Sequence, residues 1–557
     1  MAATHHDTIS LDSKHDASGR TSGVFADTKD EAKDDSPSRL ERNDTTLDGG
    51  LLLNEDEALT LVRGGRAPTA VPIFITFARN DTANPRNWSK AKKWYITCFA
   101  SFLNVLTCLC AGGYSSASDD ISSTFNVSAE VATLGLSLYI LGFAVGPMLL
   151  APLSEYFGRS PVYLGSWFIL VLFQIPVALA PNIATVLVCR FIQGFGGSAP
   201  LTNTGGTISD LWARNESGNA MMIYGLSSTF GPPFALVVSG YFAMSLGFRW
   251  LFWFFMIVTG SIWILMLFTL PETRHSIILE SKAAKIRKTL AKEHTNHQDI
   301  KTLIGNISDA HTKGQKRSMH TLFATNLTRP FRFLFTEPIT IGAAAYNGFI
   351  YGIVYLFNEA FPLVFGPGGH DFNTGEWGLS FLGLALGSVV AACFYPLQER
   401  YYLRRTAAND GKGVPEARMW SACFGAFLLP ISLFWFAWTS SPTVHWIVPI
   451  IASGFFGAGI YIVVLAVLNF VVDSYQSYSA SALAGVILVR NVVGAGFPLF
   501  ASQMYGRLGN EWASTLLAFL SLLFVPIPII WFFRGERLRL KSPWAREHFD
   551  QAEDAPH

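Results

Sequence analysis

Two arginines stand inside long apolar runs. Arg190 lies in Cys189-Arg190-Phe191-Ile192-Gln193-Gly194, and Arg490 is followed directly by Asn491. An ionised guanidinium in hydrocarbon is several kcal/mol uphill, so each must face a partner or a wet cavity. For Arg490-Asn491 an inter-helix hydrogen bond serves equally well. In another run Tyr351, Tyr355 and Asn358, with Asn347 a turn below, share one helical face and offer aromatic surface with hydrogen bonds. Such a stripe either packs or walls a cavity for an amphipathic ligand, and Gln193 and Tyr224 are assigned to the same cavity. Glu359, Asp119 and Asp120 gather near the ends of two runs, as proton carriers or as plain loop carboxylates. Gly231-Pro232-Pro233 removes two N–H groups, so a helix there should bend or break against a neighbour or a cavity.

A further constellation sits in a turn. Gly146 to Pro161 ends one apolar run in a tight hairpin holding Glu155, Gly158 and Arg159, and Gly158 suits the positive φ that a sharp turn needs. Pro152-Leu153-x-Glu155 recurs as Pro396-Leu397-x-Glu399, again with arginines after the acid. The recurrence implies two halves of like orientation that rock about a central site. Asp210 and Asp473 end runs at matching places in the two halves, as gating ion pairs or as plain helix ends.

The elements that must position these groups are membrane helices. Of 557 residues, 50% are hydrophobic and 15% charged, and the mean hydropathy of +0.32 is that of an integral membrane protein. Apolar runs of bilayer length fall near 94–113, 129–150, 161–180, 183–207, 219–242, 249–270, 338–358, 375–396, 418–439, 444–472, 478–501 and 512–533. The expected organisation is a disordered tail over 1–87, a six-helix half over 88–271, and a polar linker over 272–336 with no apolar core of its own. A second six-helix half over 337–533 and a tail over 534–557 follow. Lys and Arg cluster on one side of the runs, which puts both termini in the cytoplasm. Asn126-Val127-Ser128 is a glycosylation sequon on the other side. The 6 cysteines form no metal-spaced set. No hydrophobic segment near the start reads as a cleaved signal peptide. No nucleophile with a base, metal set or phosphate loop stands in a suitable context, which argues against an enzyme.

The hairpin, Arg190-Phe191-Ile192-Gln193-Gly194, Gly231-Pro232, Leu270-Pro271-Glu272-Thr273 and Tyr355 to Pro362 together resemble the major facilitator superfamily, and within it the fungal twelve-span drug:proton antiporters. The resemblance covers roughly Asn84 to Arg539. It implies an all-α membrane protein of about twelve helices in two pseudo-symmetric six-helix halves, exporting drugs or toxins by alternating access. Glu155, Gly158 and Arg159 would then govern the switch and Arg190 would assist proton transfer, with Asp119 and Glu359, from the reading of the residues above, as its proton carriers. No cofactor beyond the proton gradient is expected. The partners are a small molecule, protons and the bilayer, with no nucleic acid, and the chain is a monomer at the plasma or vacuolar membrane. A polyamine transporter, a proton-driven importer and a non-transporting sensor are the alternatives. With no structural duty for Arg190, its change to Ala should abolish drug resistance while sparing surface abundance.

Overall fold

The structure, a computed structural model, describes residues 46–47, 50–63, 73–213, 216–293, 307–309, 319–409, 411 and 413–546. Ahead of the first apolar run stand strands β1 (Thr46–Leu47) and β2 (Gly50–Leu53), helix α1 (Glu55–Arg63) and strand β3 (Ile73–Ile75). The first half follows as α2 (Lys90–Gly112), α3 (Ser118–Phe125), α4 (Ala129–Phe157), α5 (Arg159–Ala178), α6 (Ile183–Gly197), α7 (Ala199–Leu211) and α8 (Gly218–Thr269). The connection holds α9 (His275–Glu293), β4 (Ile307–Asp309) and α10 (Met319–Thr336). The second half is α11 (Pro338–Phe365), α12 (Thr374–Ser380), α13 (Leu382–Ala407), α14 (Met419–Thr439), α15 (Ile447–Tyr475), α16 (Ser479–Phe524) and α17 (Pro526–Lys541).

Long apolar segments become helices because, without water, every backbone group must be bonded within its own segment. Among the described residues nine helical segments are long and apolar enough to cross a membrane. Two of them are double. Gly247 (φ 76°) breaks α8, and Gly509 (φ 79°) breaks α16, at corresponding places in the two halves. Splitting those two and adding the α6–α7 pair, interrupted at Ser198, turns nine into the expected twelve. Large apolar side chains face outward, such as Phe268 at 83% exposure and Phe533 at 77%, while Arg190 and Gln193 are at 0%. That inversion of the soluble pattern marks a lipid-facing surface.

Contrary to expectation, Gly231-Pro232-Pro233 does not break α8, whose non-helical residue is Gly247. Glycine at 231 lets α8 press on α2, since a Cβ there would lie 2.7 Å from the Cβ of Cys108. The carbonyl of Ser228, left free by the N–H that Pro232 lacks, accepts the Tyr351 hydroxyl at 3.2 Å. The neighbour thus replaces the donor that Pro232 removes.

The tail and linker also differ from the reading of a disordered segment and a coreless connection. The four strands form one sheet in the order β1-β2-β3-β4, antiparallel at β1/β2 and parallel at β2/β3 and β3/β4. Ala58, Ile73 and Ile75 bury against Leu279, Ala283, Ile286 and Leu290, an apolar stripe of helical spacing on α9. Lys282 clamps the join through Asp81, and through Glu55 at 3.5 Å. The part of the expected tail over 1–45 lies outside the described residues.

Candidate functional site

Gly158, at φ 103°, turns the chain from α4 into α5. The first N–H groups of α5 are capped by a residue far along the chain, as the Glu272 carboxylate accepts from Arg159 N at 2.9 Å and Ser160 N at 3.2 Å. The Arg159 side chain turns inward, donating from Nε to Asp210 Oδ2 at 3.3 Å and from Nη1 to Ser154 at 2.7 Å. Gly206 leaves room for this guanidinium, since a Cβ there would stand 2.4 Å from Nη2. Glu155 has no hydrogen bond or ion pair among the described residues. Within the hairpin, then, Arg159 and Gly158 join one network, and among the described residues Glu155 does not.

The second half repeats the pair. Arg418, at the start of the third helix of its half, donates from Nε to Asp473 at 3.1 Å and from Nη1 to Glu399 at 2.6 Å, over the Tyr402 ring at 3.5 Å. Asp210 and Asp473 are thus matched acceptors. The sequence repeat pointed to the arginines just after Glu399, whereas the partner lies beyond the next connection. Glu399 also meets the other half, for a Cβ on Gly218, the first residue of α8, would sit 2.3 Å from its Oε1.

Arg190 is fully buried, and its premise of no structural duty fails. Nη1 donates to Cys110 O at 2.7 Å, Nη2 to Ala111 O at 3.1 Å and Nε to Gly135 O at 3.2 Å. The guanidinium lies 4.6 Å from the Tyr114 ring and 4.2 Å from the Tyr139 ring. It pins the end of α2 and the middle of α4 to α6. Gln193 extends this clamp: its Nε2 donates to Phe173 O at 2.8 Å and to Gln174 Oε1 at 3.2 Å, which turns it toward α5 and not into a central cavity.

The centre is built at the seam between halves. Arg490 stacks over Tyr351 at 4.1 Å. Asn491 Nδ2 donates across the seam to Phe143 O at 3.0 Å, and Tyr351 crosses it to Ser228. Tyr224 hydrogen-bonds to Leu201 O. Asn347 Nδ2 bonds Ala343 O of its own helix, leaving its Oδ1 open, and Asn358 Nδ2 is open as well. Asn104 reaches Ser227 at 3.0 Å and Ser228 at 2.9 Å, polar neighbours that sequence reading missed because the two helices are 123 and 124 positions apart at this contact.

Two helical halves joined by a linker, each with a matched Arg–Asp pair on one face, agree with what comparison finds. The model of the Major Facilitator Superfamily matches residues 100–498. The chain belongs to the major facilitator superfamily. An MFS-type efflux pump of Trichophyton rubrum is 38% identical over 483 residues, covering 87% of this chain and 79% of its own. A major facilitator superfamily multidrug transporter of Aspergillus fumigatus is 35% identical over 474 residues, covering 85% and 76%. The citrinin biosynthesis cluster MFS transporter of Monascus ruber is 37% identical over 484 residues, covering 86% and 94%. Among solved structures, the human organic anion transporter MFSD10 aligns at TM-score 0.51 and 16% identity, covering 79% of this chain and 99% of its own. The proton:xylose symporter XylE aligns at TM-score 0.54 and 15% identity, covering 79% and 96%. At that identity the two structures show the fold alone. This member of the superfamily is a multi-pass membrane transporter, not an enzyme.

In the transporter, the three carboxylates Asp119, Asp120 and Glu359 separate by their contacts. Asp120 Oδ2 accepts from Phe248 N at 2.8 Å and so caps the helix restarting after Gly247. Glu359 is partly buried at the seam, where Thr133 of the other half donates to it at 3.5 Å, and Asp119 is exposed. Asn126 is exposed at φ 51°, closing α3.

Proposed function

We propose that this transporter is a proton-coupled exporter of amphipathic small molecules, such as drugs, toxins or secondary metabolites, working by alternating access at the plasma membrane with both chain ends in the cytoplasm. The observation that carries the reading is the polar and aromatic cluster of Arg490, Tyr351, Tyr355 and Asn358 at the seam between halves. A ligand held there touches both halves and is released when they separate. The relatives named as an efflux pump and a multidrug transporter support the outward direction. The hairpin at Gly158 and Arg159 serves as the switch, since its network ties the ends of α5 and α7 to the linker through Glu272. Glu359 is the proton carrier in this reading. It is a carboxyl group at the seam with one long hydrogen bond from the opposite half, which rocking breaks.

Membrane vesicles test it. Inside-out vesicles should take up labelled rhodamine 6G when their interior is acid, an uncoupler should stop the uptake, and Glu359→Gln should remove its dependence on the gradient. Uptake confined to right-side-out vesicles would refute export, and uptake indifferent to the uncoupler would refute proton coupling.

A further inference from the structure

Among the described residues four arginines are buried within the helical halves, and three are satisfied. Arg159 and Arg418 meet carboxylates, and every nitrogen of the Arg190 guanidinium donates to a carbonyl oxygen. Arg490 differs. It is 2% exposed, it forms no ion pair among the described residues, and its Nε and Nη2 are both buried without a hydrogen-bond partner. Those two nitrogens lie on the same edge of the guanidinium plane and point their N–H bonds in parallel. That edge is the fork to which a carboxylate binds with both oxygens.

The surroundings fit a ligand with an aromatic or apolar body. The guanidinium face is taken by the Tyr351 ring at 4.1 Å, and the Tyr355 ring lies 6.4 Å from that of Tyr351. Two turns along the same helix the Asn358 Nδ2 is also without a partner. A buried cation with an open fork is unfavourable in an empty low-dielectric site, and an incoming anion relieves it. Without a second unpaired cation in the cluster, a single negative charge balances the site and a dianion leaves an excess.

We infer that Arg490 is the recognition point for a carboxylate, so that the molecules carried include amphipathic organic acids, gripped at the Nε/Nη2 edge with their rings against Tyr351 and Tyr355. The inference rests on the reading of this seam as the substrate site and adds the charge of the substrate to it.

Equilibrium binding to the full-length protein in nanodiscs tests it, with labelled 2-naphthoate as probe and 2-naphthamide, 2-naphthylmethylamine and 2-naphthyl phosphate as competitors. Wild type should bind the carboxylate at least about tenfold tighter than each competitor, since charge-assisted hydrogen bonds are what the others lack or mismatch. Arg490→Gln should weaken 2-naphthoate roughly 10- to 100-fold and leave the amide unchanged, and Arg490→Lys should keep part of the preference. Absent or equal binding in wild type, a preference for the amine, or a phosphate bound as tightly as the carboxylate overturns the proposal. So does a folded Arg490→Gln protein that keeps the carboxylate preference. Should that variant fail to fold, the four-compound series in wild type still decides. Outward transport of rhodamine 6G without 2-naphthoate preference would sink the anion site and spare the efflux reading. Selective 2-naphthoate binding without outward transport of any probe would do the reverse.

Discussion

Replacing Arg190 by Ala tests whether this cation is a rivet or a proton relay. The change strips the donors from the carbonyls of Cys110 and Ala111, in the last turn of α2, and removes a second donor from Gly135, which keeps its place in the α4 ladder. Each buried carbonyl left unsatisfied costs about 1–3 kcal/mol. Loss of the stacking on Tyr114 and Tyr139 costs about 1–2 kcal/mol each at a desolvated site. Against this, a cation without a carboxylate no longer has to be held out of water, which returns several kcal/mol. The two orphaned carbonyls and two rings outweigh that relief, and the net loss is about 3 kcal/mol, a large fraction of a typical total stability. We expect Arg190→Ala to lower surface abundance severalfold and to lower the melting midpoint of the purified protein by several degrees, with Arg190→Lys intermediate. Fluorescence-detected size exclusion and a thermal ramp read both. A variant with normal abundance and melting that has lost gradient-driven transport would refute the structural role and favour proton transfer.

Glycines at the two ends of the seam give a paired prediction. A Cβ on Gly218 would meet Glu399, which Arg418 holds in place, and one on Gly378 would meet the Leu236 carbonyl at 2.7 Å. Overpacking by about 1–3 kcal/mol shifts a two-state equilibrium roughly 5- to 150-fold. Gly218→Val should therefore open the face bearing Arg159, and Gly378→Val the opposite face; cysteine labelling that moved in the same direction for both would contradict the two-state seam. Arg418→Gln removes the shared partner of Glu399 and Asp473 and should slow turnover far more than it lowers substrate affinity, which vesicle kinetics would show. At Asp81 burial pushes the carboxyl upward, but the hydrogen bonds and charge of Lys282 and the Ala83 N–H outweigh it, so the carboxyl sits below its ordinary value of 3.8. A lowered carboxyl stabilises above that value and loses its contribution as the pH falls below it. Protection factors of the β3 and α9 amides, taken against the intrinsic exchange rate at each pH, should stay high at neutral pH and fall below 3.8, and in Lys282→Met they should be low at neutral pH as well.

The helices, their number and the matched aspartates were legible because each is a local signal, whether a run of bilayer length or an acid at the end of one. The partners were not. Glu272 caps α5 across 113 positions, and Arg418 reaches Glu399 across 19. Neither spacing is a helical or turn period, so nothing in the string links them. At Pro232 the partner for the freed carbonyl comes from Tyr351, a residue 119 positions further on. The tail–linker core could have been found, since Leu279, Ala283, Ile286 and Leu290 follow the seven-residue spacing of a buried helix face. The charge of the surrounding sequence hid it.

How the two halves hold together follows from which contacts cross the seam. Among the described residues no ion pair joins the two six-helix halves, although Arg274 and His275 of the linker reach Asp210 of the first half and Arg539 of the tail reaches Glu416 of the second. What crosses is neutral or single: Asn491 to Phe143 O, Tyr351 to Ser228 O, Tyr461 to Met222 O at 3.4 Å, Gln503 to Glu130 at 3.0 Å, and Thr133 to Glu359. Each such bond is worth about 0.5–1.5 kcal/mol net, and more where an ionised carboxylate accepts. Charged networks that cost several kcal/mol to break therefore rigidify each half, while the surface between them parts bond by bond at energies a bound ligand can supply. A fold wired the other way, with the arginine clusters spanning the seam, would be locked in one state. The distribution of charge is thus itself an argument that the halves move as bodies and that the centre at Arg490 is where the motion is felt.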